Sequence, residues 1–344
     1  MDERLTALGT EVLYVVSDRA NALIQLAEKG LECLSMPDCF HVVHEIVKSY
    51  ALAIGRRLRQ AHKERKHVEE RLTRPLDDSE VPRPGETTRA EVQRCQEVHR
   101  AYRQHLATLA LTLHPFDIST SLPQTSAQVE SRLQAGVDAI EAFAERQHGP
   151  ARPGAMHKVR KQLPALAALV DFWWQGVGQD LGQLVLAPRW RQGVHACLLP
   201  MVYWDHQVAR TRCRRRKAKM QEAWEEGRAA FDRHALPQRL APQVLVAWKA
   251  WAIDRVNTFQ RASSAVEGRN GSLSQMHHNH RGVPKRRDKV WTVLHNVDCR
   301  AADGTTPASR FFRRSFPDLF ETVLSKIDDL PRPRQRHQAM ALTG

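Results

Sequence analysis

Three short stretches of this sequence carry residue types that could hold a metal ion against a phosphodiester. The first is Tyr14-Val-Val-Ser-Asp18, an aspartate that closes a short β-branched run. An acid at the carboxyl end of a buried strand sits where α/β sheets place ligands and catalytic groups. The plainer reading of Asp18 is a cap for the helix that follows. The second stretch is Asp38-Cys-Phe-His41, with His44 and Lys48 on the same helical face. Here too the plain alternative is local: Asp38 as an N-cap and His41 as an ordinary polar residue. The third is Ser263-Ser-Ala-Val-Glu267-Gly-Arg269-Asn270-Gly271. Ser264 and Glu267 have the spacing of a capping box, which satisfies backbone donors at a helix start. A pure cap does not need Gly268 and Gly271 just inside the helix, where each costs about 1 kcal/mol relative to alanine. Helical spacing puts Glu267, Asn270, Ser274 and His278 on one polar face, with Val266, Leu273 and Met276 opposite.

The elements that position these residues can be read from hydrophobic period. Residues 11–16 form a buried-strand signal that ends at Ser17-Asp18. A short helix from Ala20 to Lys29 follows and stops at Gly30; residues 31–36 make a second strand signal. After Pro37-Asp38 a helix reopens with an apolar face of Phe40, Val43, Val47, Tyr50, Ile54 and Leu58. Strand, helix, strand, helix is an α/β signature. From about residue 60 helical periodicity takes over, as in the stripe Val129, Leu133, Val137, Ile140 and Phe143. A long helical stretch spans residues 202–233 and holds the basic run 210–219; a further helix covers residues 241–260. Basic residues return at His277, His278, His280, Arg281, Lys285, Arg286 and Arg287, followed by amphipathic segments at 289–297 and 311–330.

The chain of 344 residues carries a formal net charge of +14. That surplus favours a polyanionic partner, nucleic acid first and an anionic membrane surface second. No run approaches the roughly 20 apolar residues of a membrane helix, and the N-terminus lacks the pattern of a signal peptide. The six cysteines are scattered without a Cys-x-x-Cys, which points to free thiols in a reducing compartment. A cytoplasmic protein able to reach the nucleoid is the expectation.

In this order the three stretches resemble the DDE-type transposases of the Mutator-like and related bacterial insertion-sequence families. There the second catalytic aspartate ends a strand, a Cys/Asp-x-x-His helix follows, and the catalytic glutamate lies after a helical insertion in a Ser/Thr/Asn-rich helix start with Glu-x-x-Asn. The matches are Ser17-Asp18, Asp38 to His41, and Ser263 to Asn270. Residues 263–314, with Ser274-Gln-Met-His-His-Asn-His-Arg-Gly282 and Asp298-Cys-Arg-Ala-Ala-Asp-Gly304, also resemble a little-studied bacterial transposase-like family.

The resemblance implies an α/β remnant of a ribonuclease-H-like core with a large all-α insertion, mostly α overall. Residues 1–60 would be the partial core, 61–240 the helical insertion, 241–330 the glutamate helix and basic C-terminal helices, and 331–344 a flexible tail. It implies metal-dependent DNA strand cleavage and transfer. Asp18 and Glu267 would be the catalytic metal ligands, supported by Asp38, His41 and Asn270. Two Mg²⁺ or Mn²⁺ ions about 3.5–4 Å apart would activate the nucleophile and stabilise the leaving oxygen. The family's first aspartate precedes the second by several strands, and only 17 residues precede Asp18. The expectation is therefore a truncated chain, inactive alone, with the two-metal site complete only in an intact enzyme. Its partners would be DNA, an N-terminal half or an intact transposase, and further copies of itself on DNA, with no membrane. DNA-contacting candidates are Arg210, Arg214, Arg215, Arg269, His277, His278, Arg281, Lys285, Arg286 and Arg287. The competing expectation is a non-catalytic, basic helical DNA-binding protein that modulates an intact transposase.

Overall fold

The computed structural model describes residues 12–72, 84–183, 188–261, 271, 274–275, 278, 285–301, 303–312 and 314–327. The chain is mostly helical with one small sheet. It divides into two units, Met1–Ser263 and Ser264–Gly344.

The first unit opens with strand β1 (Tyr14–Ser17), helix α1 (Asn21–Gln25), which runs on as a wider π-type turn through Leu26–Gly30, and strand β2 (Leu34–Pro37). β1 and β2 pair in parallel, with Tyr14 opposite Leu34 and Ser17 opposite Pro37. Parallel strands need a crossover, and α1 supplies it. β1 begins three residues later and ends one residue later than the run 11–16, and β2 stands in the same relation to the run 31–36, so both shift towards their aspartates.

Helix α2 (Cys39–Leu72) follows β2 at once. Its buried stripe is Val42, Ile46, Tyr50, Ile54 and Ala61. The expected face shares only Tyr50 and Ile54 with it. Capping by Asp38 fixes the first turn so that Phe40 faces solvent at 61% exposure, stacked on His44 at 5.9 Å. Helix α3 (Pro84–Thr112) packs along α2, and the Tyr102 hydroxyl donates to the Ile46 carbonyl at 3.4 Å.

Helix α4 (Ser126–Arg146) starts with a capping box between Thr125 and Gln128. Its stripe Val129, Leu133, Val137, Ile140 and Phe143 is buried, as the period dictates. Helix α5 (Pro153–Gln183) packs on α4, and its Asp171 accepts from the amide and hydroxyl of Ser126 at the start of α4. Two free donors at a helix start thus meet a carboxylate, which also suits the helix dipole.

After α6 (Pro188–Gly193) and a π-type turn over Val194–Leu198, helices α7 (Leu199–Arg210) and α8 (Arg214–Arg233) form a close pair. Gly227 permits the approach: a Cβ there would lie 3.4 Å from the backbone of Met201. The basic run 210–219, expected on one helix, is split. Thr211 leaves the helix with extended backbone and its hydroxyl donates to the Met220 sulfur at 3.3 Å, so the run spans the end of α7 and the start of α8. Short α9 (Ala235–Arg239) and α10 (Pro242–Thr258) complete the unit.

The core gathers Phe116, Trp173, Trp174, Tyr203, Trp204 and Phe259 with ring centroids mostly 5–6 Å apart. Such edge-on and tilted pairs add about 0.5–1.5 kcal/mol each beyond burial. Tyr14 of β1 meets Phe172 of α5 at 5.4 Å, which sets the strand pair against the helical block. The second unit contains α11 (Lys285–Val297), α12 (Pro307–Phe312) and α13 (Leu319–Leu324).

Candidate functional site

Because β1 and β2 are parallel and in register, Asp18 and Asp38 each follow directly on the carboxyl end of neighbouring strands. The Asp38 amide donates to the Ser17 carbonyl at 2.8 Å, which carries the ladder one step past the strands. Their local chemistry differs. Asp18 is exposed, and its Oδ1 accepts from the Ala20 amide at 3.0 Å, a tight Asx turn. That is not the expected cap, since the N-cap of α1 is Ala20 and has no side-chain bond. The chain leaves Asp18 through Arg19 at φ 61°, in the left-handed region. The Arg19 guanidinium donates to the Ser35 carbonyl at 3.0 Å, which ties the turn back to β2. Asp38 is 1% exposed, and its Oδ1 accepts from the Phe40 amide at 2.6 Å. It caps α2 as local reasoning suggests. His41 lies in the first turn, half-buried, edge-on to Phe40.

A third strand of chain reaches the same place. The Cys39 amide donates to the carbonyl of Arg261 at 3.0 Å, so after the whole helical block the backbone returns to the start of α2. The Arg261 guanidinium turns inward and donates to the Leu113 carbonyl at 2.8 Å and to His114 Nε2 at 3.0 Å. Arginine can only donate, so Nε2 is the acceptor and the proton sits on Nδ1, facing the Tyr203 hydroxyl. His114 is wholly buried and neutral: burial first, then Arg261 and Arg216, hold it well below the usual histidine range. Burial likewise pushes the Cys39 thiol up, against the pull of Arg261 and Arg216.

Arg216 therefore lies near the strand ends, and it also lines a cleft of about 820 Å³ between α3 and the first turn of α8. His99, Arg100 and Arg103 line it from α3; Cys213, Arg214, Arg215 and Arg216 line it from α8. Among the described residues that line it there is no carboxylate. Cys213 is the N-cap residue of α8, and the neighbouring Arg216 and the amides of the first turn hold its thiol below the ordinary value.

Of the residues expected from sequence, Asp18, Asp38 and His41 gather at the strand ends, and Arg214 and Arg215 line the cleft. Arg210 ends α7, exposed, against His206 at 3.0 Å. Arg286 and Arg287 are exposed on α11, which Lys285 begins, and His278 is exposed. Glu267, Arg269, Asn270, His277 and Arg281 lie outside the described residues. Among the described residues no three His, Cys, Asp or Glu side chains are placed to hold a metal. Asp18 suits a hard cation, being an exposed carboxylate. Asp38 Oδ1 is taken by the Phe40 amide. Sequence reasoning missed Arg261, His114, Arg100 and Arg103; Arg216 belongs to the basic run 210–219. Arg100 and Arg103 share a helical face with His99, the one local signal; nothing local joins them to residue 214.

A family described as of unknown function, DUF6399, matches residues 194–339. No curated protein and no solved structure matches the chain. The matched stretch takes in the α8 side of the cleft, Arg261 and residues 263–271, but neither strand nor α3.

Proposed function

We propose that this chain is a DNA-handling protein of the DDE transposase kind, in which Asp18 and Glu267 hold a divalent metal at a phosphodiester and Asp38 positions the start of α2. The observation that carries the reading is the bond from the Cys39 amide to the Arg261 carbonyl. It returns the chain to the carboxyl ends of two parallel strands just before the Ser263–Glu267 sequence, after a long helical excursion. Strand, crossover helix, parallel strand and helix, then an all-α block, is the element order of the second half of a ribonuclease-H-like core with an insertion. The ends of parallel strands are where such sheets collect chemistry.

When bound, Mg²⁺ supplies a polarised water or hydroxyl and stabilises charge on the leaving oxygen. The protein's own share is to orient Asp18: the Asx turn fixes one carboxylate oxygen on Ala20, and Arg19 locks the turn to β2. Basic side chains of the cleft supply attraction for the backbone of DNA.

Iron-mediated backbone cleavage tests this reading. Fe²⁺ replaces Mg²⁺ and, with peroxide and ascorbate, cuts the polypeptide beside its site. The expected cuts fall around both Asp18 and Glu267, are competed by Mg²⁺, and vanish in Asp18→Asn and in Glu267→Gln. Cuts at only one of the two, or cuts that survive both substitutions, overturn it. The second reading, a DNA-binding protein without strand chemistry, rests on the basic lining of the cleft alone. It predicts DNA binding without these cuts.

A further inference from the structure

We propose that the cleft between α3 and the start of α8 holds consecutive phosphates of a DNA strand, with Cys213 lying in the path of the backbone. The proposal rests on DNA being the partner, and it adds the surface on which DNA would lie.

The arginines of this cleft contrast with arginines elsewhere in the first unit. Arg132 pairs with Asp117, Arg160 with Asp138 and Glu141, and Arg255 with Asp180. No ion pair to Arg100, Arg103, Arg214 or Arg215 occurs among the described residues. All four are exposed and free to meet a ligand from solvent. Their arrangement also opposes local preference. A helix start carries positive partial charge and favours acids there, by about 0.3–1 kcal/mol per charge. The first turn of α8 holds Arg214, Arg215 and Arg216 and no acid. α3 brings Arg100 and Arg103 across the cleft, one turn apart on the same face. Like charges converging on an unneutralised hollow are destabilising unless an anion fills it.

The geometry also favours which anion. A guanidinium matches phosphate oxygens through paired donors. A single phosphate carries at most about two charges at neutral pH, fewer than the guanidiniums present, whereas a strand brings one per nucleotide. The surface is a hollow between two helices, suited to a strand rather than to a flat lipid face. Arg216, the innermost, is close enough to act on the Cys39 thiol and on His114. Val43 of α2 lines the hollow as well, so it reaches the early turns of the helix that Asp38 caps. Cys213 lines the same cleft at the N-cap of α8, where the free amides of the first turn favour an anion.

Cys213 makes the proposal measurable without any cleavage. The full-length chain is alkylated with iodoacetamide and the modification at each cysteine is followed by mass spectrometry, with exposed Cys299 as the internal control. A duplex oligonucleotide at ten times its Kd fills about nine-tenths of its sites, so the Cys213 rate should fall about tenfold while Cys299 is unchanged. Arg100→Gln/Arg103→Gln, which removes the charge but keeps a polar side chain and helix propensity, should abolish most of the protection. It should also lower the log–log salt slope of DNA binding by about 0.9 for each phosphate no longer neutralised. Arg100→Glu/Arg103→Glu should remove protection entirely, and circular dichroism establishes that both variants remain folded. DNA binding that leaves Cys213 unprotected, protection that survives the arginine changes, or equal protection by inorganic phosphate at the same phosphate concentration overturns the proposal. Absence of the iron cuts with Cys213 protection intact would overturn the metal reading and leave the cleft standing. Iron cuts without protection would do the reverse.

Discussion

The ends of β1 and β2 occupy equivalent places in one sheet, and each is followed by an aspartate, yet they are built to opposite purposes. At the β2 end, helix α2 begins immediately, the buried Asp38 accepts from the Phe40 amide, and the Arg261 carbonyl takes the Cys39 amide just before it. At the β1 end, the chain turns through Arg19 in a left-handed conformation and leaves Asp18 in solvent with a single amide contact. Adjacent acids in one register thus divide into a structural group and an available one. Residue type and position in the strand do not decide which is which; the residue that follows does. A helix that starts at once consumes the carboxylate, whereas a turn presents it.

The difference can be broken most severely from the Arg261 side. In Arg261→Met the Leu113 carbonyl and His114 Nε2 lose their donor. A buried acceptor left unmade costs about 1–3 kcal/mol, so a loss of about 3 kcal/mol is expected in urea unfolding, without change in the metal-directed cuts at Asp18. Next comes the capping acid. Asp38→Ala should cost about 1–2 kcal/mol, as helix N-caps do, while Asp18→Ala stays within about 0.5 kcal/mol, as an exposed substitution should. Equal losses at the two aspartates in thermal melts would erase the distinction.

The smallest effect is a pH dependence that acts on the sealed end alone. The His114 pKa is depressed in the folded state, so the ring stays neutral with its single proton on Nδ1, whereas the unfolded chain takes up a second proton below about pH 6.5. The unfolded state then binds more protons, so stability is full above pH 6.5 and falls as the pH drops below it, approaching about 1.4 kcal/mol per pH unit for one group. His114→Gln should flatten that slope by the same amount, read from unfolding midpoints between pH 7.5 and 5.5.

How much of this was legible depended on the range of the interaction. The α4 stripe from Val129 to Phe143 and the order of the first four elements follow from local period, and the structure places them so. The α2 stripe was rotated because a cap, not hydrophobicity, sets its first turn. The basic run 210–219 reads as one helix because charge does not mark a break; Thr211 leaves the helix and donates to Met220 nine residues on. Arg261 was invisible, since nothing in Phe259-Gln-Arg261 announces that its carbonyl meets Cys39 and its guanidinium meets His114. The cleft was half legible: Arg214 and Arg215 stand out in a basic run, but their facing partners on α3 are joined to them only by tertiary packing.

The Arg261 closure has a consequence in time as well as space. β1, α1 and β2 are neighbours in sequence and can pair as soon as they are made. The contact that seals the start of α2 spans most of the first unit, and closing so long a loop is an entropic cost that precedes any gain. During synthesis from the N-terminus, the two strands emerge early, but their carboxyl ends stay open until α10 has left the ribosome and docked. The strand ends are therefore among the last parts of this unit to mature, although Asp18 is made more than two hundred residues before the Arg261 that closes them.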